Sequence, residues 1–316
     1  MKNKGLNILI LLSCLVILNS SFVLGQEKYD LKLNFEVEDE YKLETVITQD
    51  IKQSFMGMEI NMEQEIELAY NFIVKEITPA GNYIISVEYT EFDLDISNFS
   101  MDDLAMPQRQ GIEENDEAEI EKELDEFSQD FIGQEFKLEL SKQGDVISIS
   151  NYEEITEEIL AGVDDPTAKE NLAEVSNEEY LRESWEQFLT YLPQQEVAVG
   201  DSWESSFEIN HPIAIEVLNN YKLEAVNDEN IIISFGTDSK TNNISLKQEK
   251  NEEMEFDFQG QQSGNIILNS ESNWIEEMNL TQEISGFLSI SLDQQGQQLR
   301  IPMELTTELK ANGKKL

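Results

Sequence analysis

From residue 41 to residue 72 the chain alternates between apolar or uncharged positions and polar ones. Tyr41, Leu43, Thr45, Ile47, Gln49, Ile51, Gln53 and Phe55 share one parity. Met58, Ile60, Met62, Gln64, Ile66, Leu68, Tyr70 and Phe72 share the other. A period of two predicts strands with one buried face. With Met56-Gly57 as a two-residue connection, the strands form an antiparallel hairpin that sets Phe55 opposite Met58, Ile51 opposite Met62 and Ile47 opposite Ile66. Leu43 then faces Tyr70, Tyr41 faces Phe72, and two polar intruders, Gln49 and Gln64, face each other. A one-residue slip would turn one strand's apolar set to water, so the pattern specifies the register.

The end of the chain repeats the design. Met278, Leu280, Gln282, Ile284, Gly286, Leu288, Ile290 and Leu292 alternate before Gln295-Gly296, then Leu299, Ile301, Met303, Leu305, Thr307 and Leu309 follow. Pairing about Gln295-Gly296 predicts Leu292 opposite Leu299 and Ile290 opposite Ile301. Strands of this length would span roughly 50 Å if flat, at ~3.4 Å per residue, so they are expected to coil into a curved sheet or partly open barrel.

Between these hairpins the pattern changes period. Tyr29, Leu31, Leu33, Phe35 and Val37 alternate. Tyr83, Ile85, Val87 and Tyr89 do so after a turn at Pro79 to Asn82, and a shift of phase to Phe92, Leu94 and Ile96 predicts a bulge near Thr90-Glu91. Residues 112–132 read as an acidic amphipathic helix with Ile120, Leu124, Phe127 and Phe131 on one side, a cover for the sheet or a lid over a cavity. Phe136, Leu138, Leu140, Val146 and Ile149 form another hairpin. Residues 152–192 are helical, with Pro166 suited to a first turn, Ser176 to Glu179 matching a capping box, and a stripe of Leu181, Trp185, Phe188, Leu189 and Leu192. The fold class is therefore mainly β with helical insertions (α+β), built of long antiparallel hairpins. Its organisation is 26–150 as an N-terminal β half, 151–193 as a helical connector and 194–316 as a C-terminal β half.

The second half echoes the first. Val199-Gly200-Asp201-Ser202-Trp203 matches Val37-Glu38-Asp39-Glu40-Tyr41, Tyr221-Lys222-Leu223 matches Tyr70-Asn71-Phe72, and Asn230 to Phe235 matches Asn82 to Val87. Gly264 to Leu268 matches Gly133 to Leu138 more weakly. Two divergent β units follow from these echoes. In the first of these echoes Gly200 allows a left-handed turn and Asp201 is expected to bond local backbone N–H groups.

Composition narrows the function. The 316 residues carry 65 acidic and 21 basic side chains, a formal charge of −44, which argues against nucleic acid and anionic membrane as direct partners and leaves polycations and divalent ions open. Lys2 and Lys4, an apolar run from Leu6 to Leu18 and Val23-Leu24-Gly25 read as a secretory signal peptide over 1–25, cut after Gly25. Export to the periplasm or the exterior is the expectation. The lone cysteine, Cys14, lies inside that run in a poor lipidation context, so the mature chain is expected to lack thiol chemistry and disulfides.

No constellation for catalysis stands out. His211 is the single histidine and has no metal-binding spacing, Gly260 to Gly264 misplaces its serine for a nucleophile elbow, and no phosphate or calcium loop occurs. A carboxylate pair for glycoside hydrolysis cannot be singled out among 65 acidic residues. The expectation is a non-enzymatic protein without cofactor, catalytic residue or metal site. Its candidate is an apolar concavity for a lipid or other hydrophobic molecule, lined by Tyr41, Met58, Met62, Trp203, Met278 and Met303, with Met56 nearby. The alternative is a structural or protein-interaction module of the cell envelope with a dry core.

Leu192-Pro193 followed by Val199-Gly200-Asp201-Ser202-Trp203, the hairpin at Met56-Gly57, and the run Gly133-Gln-x-Phe-x-Leu-x-Leu-Ser-x-x-Gly-x-Val resemble a family of secreted bacterial proteins carrying a domain of unknown function. The resemblance covers nearly all the mature chain and implies no activity. Glu38 departs from it where Gly200 would lead one to expect glycine. In general design the chain also resembles bacterial lipoprotein carriers, with a curved sheet and a helical lid.

Overall fold

In the computed structural model the described residues are 27–55, 58–97, 127–163, 166, 169, 172–173, 176–209, 215–241, 245–247, 253–291 and 298–316. The first half contributes β1 (Lys28–Tyr29), β2 (Glu40–Phe55), β3 (Met58–Ile77), β4 (Tyr83–Ser97), β5 (Glu135–Leu140) and β6 (Val146–Ser150). Helices α1 (Tyr152–Ala161) and α2 (Glu178–Leu189) follow. The second half contributes β7 (Val197–Ala198), β8 (Ser202–Ile209), β9 (Ile215–Val226), β10 (Asn230–Thr241), β11 (Ser245–Lys247), β12 (Glu253–Asn269), β13 (Ile275–Ser291) and β14 (Gln298–Lys315).

Both halves build one antiparallel sheet, in the order β6-β5-β4-β3-β2-β14-β13-β12-β10-β9-β8, with β11 attached to β12 and a separate β1-β7 pair. The sheet does not close into a barrel. Its two edge strands, β6 and β8, both pack against α2, which lies along the seam. A helix in that place covers the unpaired edges that would otherwise invite another strand.

The opening hairpin has the register that its pattern specifies: Phe55 pairs Met58, Ile51 pairs Met62, Ile47 pairs Ile66, Gln49 pairs Gln64 and Tyr41 pairs Phe72. Its connection at 56–57 lies outside the described residues. The bulge on β4 is at Thr90, since Ala69 pairs Glu91 while Tyr70 pairs Tyr89. The closing hairpin differs from expectation. Ile290 pairs Leu299 and Leu288 pairs Ile301, two residues from the expected register. A two-residue slip leaves every side chain on its own face, so alternation alone does not forbid it. The connecting residues 292–297 lie outside the description.

Hydrogen bonds show the two units to be equivalent in detail. Glu38 N donates to Val74 O at 2.8 Å and Val74 N to Asp39 O at 3.0 Å. Gly200 N donates to Leu223 O at 2.7 Å and Leu223 N to Asp201 O at 3.0 Å. Asp39 accepts from Glu36 N at 2.8 Å, and Asp201 from Ala198 N at 2.9 Å. Glu38 has φ 71° and Gly200 has φ 93°, so both turns use the left-handed region although only one carries glycine. A register shift follows Val74 in the β3-β4 pair and Leu223 in the β9-β10 pair. Leu138 opposite Ile85 then corresponds to Ile266 opposite Ile233. Two echoes are corrected by this superposition: Tyr221 corresponds to Phe72, not Tyr70, and Leu138 to Ile266, not Leu268. Each is displaced by two positions, again the displacement that preserves parity.

The core lies at the end of the sheet where these turns sit. Phe35, Tyr41, Phe72, Trp185 and Trp274 form linked ring contacts at 5.2–6.0 Å. The segment carrying Leu31, Leu33 and Phe35 laces both units. Leu33 N donates to Lys142 O at 2.8 Å and Asn34 N to Ser272 O at 3.0 Å, while Asn273 Nδ2 donates to Lys32 O at 2.7 Å.

Of the acidic helix expected over 112–132, residues 112–126 lie outside the description. Residues 127–131 are helical, and Phe127 and Phe131, both buried, meet at 5.2 Å. The expected connector helix at 152–192 contains α1 and α2. The N-cap of α2 is Asn177, whose side chain accepts from Tyr180 N at 2.8 Å. Ser176 does not cap it because its hydroxyl donates to Leu172 O at 2.7 Å.

Candidate functional site

Parity divides the sheet into an outer and an inner face of different chemistry. The outer face of β2 and β3 carries Glu44, Asp50, Lys52, Glu63, Glu65 and Glu67, with Asp50 directly opposite Glu63. Apart from Lys315, which pairs Tyr41 at the near end of β14, the described inward positions of β2, β3, β4, β12, β13 and β14 carry no Asp, Glu, Lys or Arg. In a chain of charge −44 this segregation leaves the inner surface free of charge from Leu43 to the far end.

Along the inner face the core does not run the full length of the strands. Leu280 and Leu309 are the last residues of β13 and β14 packed against it. Next comes a row of uncharged polar residues in register on successive strands. Asn219 pairs Thr237, Thr237 pairs Gln262, Gln262 pairs Gln282, Gln282 pairs Thr307, Thr307 pairs Gln49, and Gln49 pairs Gln64. Gln282 Nε2 donates to Gln262 Oε1 at 3.0 Å, Gln262 Nε2 to Asn219 Oδ1 at 3.4 Å, and Asn219 Nδ2 to Tyr221 Oη at 2.9 Å. Gln49 Nε2 donates to Thr307 Oγ1 at 3.3 Å. Burial pushes the Tyr221 hydroxyl up to about 12, against hydrogen bonds with Thr190 and Asn219, so it stays a neutral partner of the row from the core side at physiological pH.

Beyond the row the inner face becomes apolar again except at Gln53, which pairs Met303 and Ile60. Ile51, Met62, Ile284 and Leu305 stand half-buried next to it, followed by Met303 and Phe258, then Ile301, Leu288 and Phe256. Gly286 lies in this strip, and a Cβ there would meet Phe258 Cδ1 at 2.6 Å, so the ring covers the bare backbone. The result is a far trough, separated from the core by hydrogen-bonding side chains.

The expected lining residues divide between these zones. Tyr41 and Met278 are buried in the core, at 3% and 6% exposure. Met62 and Met303 lie in the far trough, and Met58 lies beyond them in register, its side chain outside the description. Trp203, on the edge strand β8, stacks on Tyr221 at 5.7 Å and does not join the methionines. Ile51, Ile284, Leu288 and Leu305 belong to the trough and were not singled out from the sequence, because nothing in alternation distinguishes a lining isoleucine from a core one.

Two concavities elsewhere are polar. One of about 200 Å³ lies at the seam, between Gln143 to Val146, α2 and Ser205-Ser206. Glu186 lines it with its carboxyl pushed up by burial and by Glu183 and Asp145, against the opposing pull of Arg182. The other, about 570 Å³, is an open hollow on the outer face over Gly236, bordered by Asn220, Gln261, Ser263, Thr281 and Glu283. Among the described residues no cluster of three His, Cys, Asp or Glu could hold a metal ion, and no helix is long and apolar enough to cross a membrane. His211 lies outside the description.

Fold and lining together define a class: an open antiparallel sheet of two equivalent β units, with a helix along its seam and an inner face almost free of charge. The chain belongs to a family of unknown function (DUF6263), whose model matches residues 80–275. No curated protein matches it. Among solved structures it is similar to one described as lipid-protein interactions in lipovitellin, with TM-score 0.44 and 10% identity over 87% of this chain and 25% of that one. It thus spans a quarter of the lipovitellin chain's length. An outer membrane channel from Pseudomonas putida F1 gives TM-score 0.21 and 4% identity over 90% and 98% of the two chains. OccK7 (OpdD) of Pseudomonas aeruginosa gives 0.19 and 8% over 88% and 100%. Likeness at these values carries no functional argument.

Proposed function

We propose that the protein is a secreted or periplasmic, non-enzymatic binding protein whose far trough holds a lipid or other hydrophobic molecule. One observation carries this reading: beyond the polar row the inner face is free of charge and, Gln53 apart, apolar, with Ile51, Met62, Ile284 and Leu305 half-buried and outside the core cluster. Side chains that only faced water would have no reason to exclude charge in so acidic a chain, and apolar strips of this kind mark ligand grooves or interaction sites. Methionine at 62 and 303 gives the lining an adaptable surface.

The test is solvent extraction of the purified protein followed by mass spectrometry, together with titration of a fluorescent lipid. Co-purifying lipid or saturable binding supports the carrier reading. Absence of both overturns it in favour of a structural or protein-interaction module of the envelope. Export is tested separately by N-terminal mass analysis, with a mature chain beginning at Gln26 as the expected result and a lipidated chain beginning at Cys14 as the contrary one.

A further inference from the structure

We propose that the trough selects a neutral amphiphile, its tail along the far strip and an uncharged hydroxyl, amide or ester head on the polar row. This inference rests on the trough reading above and adds the chemistry of the head. From Thr307 in the row to Met303 the half-buried strip runs four residues along β14, roughly 14 Å at ~3.4 Å per residue, and beyond it Ile301 and Ile290 are buried. One leaflet of hydrocarbon is about 15 Å, half of a bilayer core of ~30 Å, so the strip matches a single extended acyl chain.

At its inner end the tail meets side chains with hydrogen-bonding capacity to spare. Gln64 makes no side-chain hydrogen bond to any described residue, and the carbonyls of Gln49 and Gln282 accept none, while their amides are committed to Thr307 and Gln262. Each amide offers a carbonyl acceptor and two N–H donors, which an uncharged head can match in either sense. A charged head would enter a half-buried, charge-free surface where no counter-charge compensates the loss of its hydration. The lining therefore discriminates by desolvation rather than by attraction. The alternative occupant, a wholly apolar molecule, would leave the spare amide groups covered and unpaired, which also disfavours it.

The experiment uses three pyrene-labelled probes of equal chain length, an alkane, a primary alcohol and a carboxylate, titrated into the full mature chain at pH 8. Work in 1 M NaCl reduces the screening length to about 3 Å, so the protein's overall negative charge does not produce the discrimination. The alcohol is expected to bind at least tenfold more tightly than the carboxylate, and about fivefold more tightly than the alkane. Gln64→Leu and Gln282→Leu are each expected to lower alcohol affinity several-fold and to raise alkane affinity, so that the preference for the alcohol is lost while continued alkane binding reports an intact fold. Equal affinity for alkane and alcohol, or a preference for the carboxylate, overturns the head assignment while leaving the trough reading in place. Binding of none of the three overturns both.

Discussion

The near and far ends of the same strands show how one alternating sequence does two different things. At the near end, Tyr41, Leu43, Phe72 and Val74 face inward and meet a third layer made by Leu31 to Phe35, α2 and Trp274, so they are almost wholly buried. At the far end, Ile51, Met62 and Leu305 face inward with the same parity, yet remain half-buried. Residue type does not separate the two ends. What separates them is membership of the core: even Ile60, Ile290 and Ile301, buried at the far end, pack outside the core cluster, and the polar row marks the border.

The largest test of this contrast is a charge placed at each level. Leu43→Asp is expected to cost about 4 kcal/mol or more, or to prevent folding, because no partner satisfies a carboxylate in the core. Ile51→Asp should cost about 1–2 kcal/mol, and Thr48→Asp, on the outer face, within about 0.5 kcal/mol. Ile47→Asp, just below the row, should fall nearer to Leu43 than to Ile51. Chemical denaturation of the four variants measures the order. Equal losses at 43 and 51 would abolish the distinction between ends.

A finer comparison uses two inward glycines, Gly264 near and Gly286 far. A Cβ at either would press on a carbonyl of the adjacent strand, and in addition on Phe235 Cζ at 2.7 Å or Phe258 Cδ1 at 2.6 Å. Phe235 belongs to the core and Phe258 does not. Gly264→Ala should therefore cost about 1 kcal/mol more than Gly286→Ala, since the shared backbone contact cancels and the core ring has less room to move. Melting temperatures of the pair check this.

Acid should loosen the near end first. Burial would raise the Asp39 carboxyl, but the Glu36 N–H and Lys315 more than offset it and hold it below the usual carboxylate range. A folded-state value below the unfolded one adds stability above about pH 4, and that contribution is lost as pH falls through the folded value. Asp39→Asn should lower the melting temperature at pH 7 and flatten its fall between roughly pH 5 and pH 2. The smallest effect belongs to the outer face, which spans both ends. Raising sodium chloride from low to moderate concentration should raise the melting temperature by a few degrees through screening of the −44 charge. A far larger response to calcium at equal ionic strength would reveal specific carboxylate sites instead.

Sequence periodicity made parity legible and left level illegible. The face of each residue in both long hairpins followed from alternation, as did the Gln49–Gln64 pair and the Thr90 bulge. The register of the closing hairpin, the partner of Tyr221 and the partner of Leu138 were each displaced by two, the one shift to which a period of two is blind. The polar row escaped notice for a related reason. Its members Asn219, Gln262, Gln282, Thr307 and Gln49 are far apart in the chain and become neighbours only through the strand order, which places β14 between β13 and β2. The N-cap of α2 was displaced by one, because Ser176 and Asn177 are both competent caps and only the backbone position of Leu172 decides between them.

The position of β14 also sets when the molecule can finish assembling. This strand, last of the described strands in chain order, is among the described residues the sole bridge between the two units in the middle of the sheet, joining Tyr41 to Lys315 and Met278 to Ala311. Bringing it to β2 closes a loop of more than two hundred residues, at an entropic cost of roughly 5 kcal/mol by logarithmic scaling, so the step is slow compared with forming either unit. Until it happens, β2 and β13 each present a free edge beside an apolar face. Two chains caught at that stage can each insert β14 into the other, so refolding at high concentration should yield exchanged dimers, and refolding at high dilution should yield monomers.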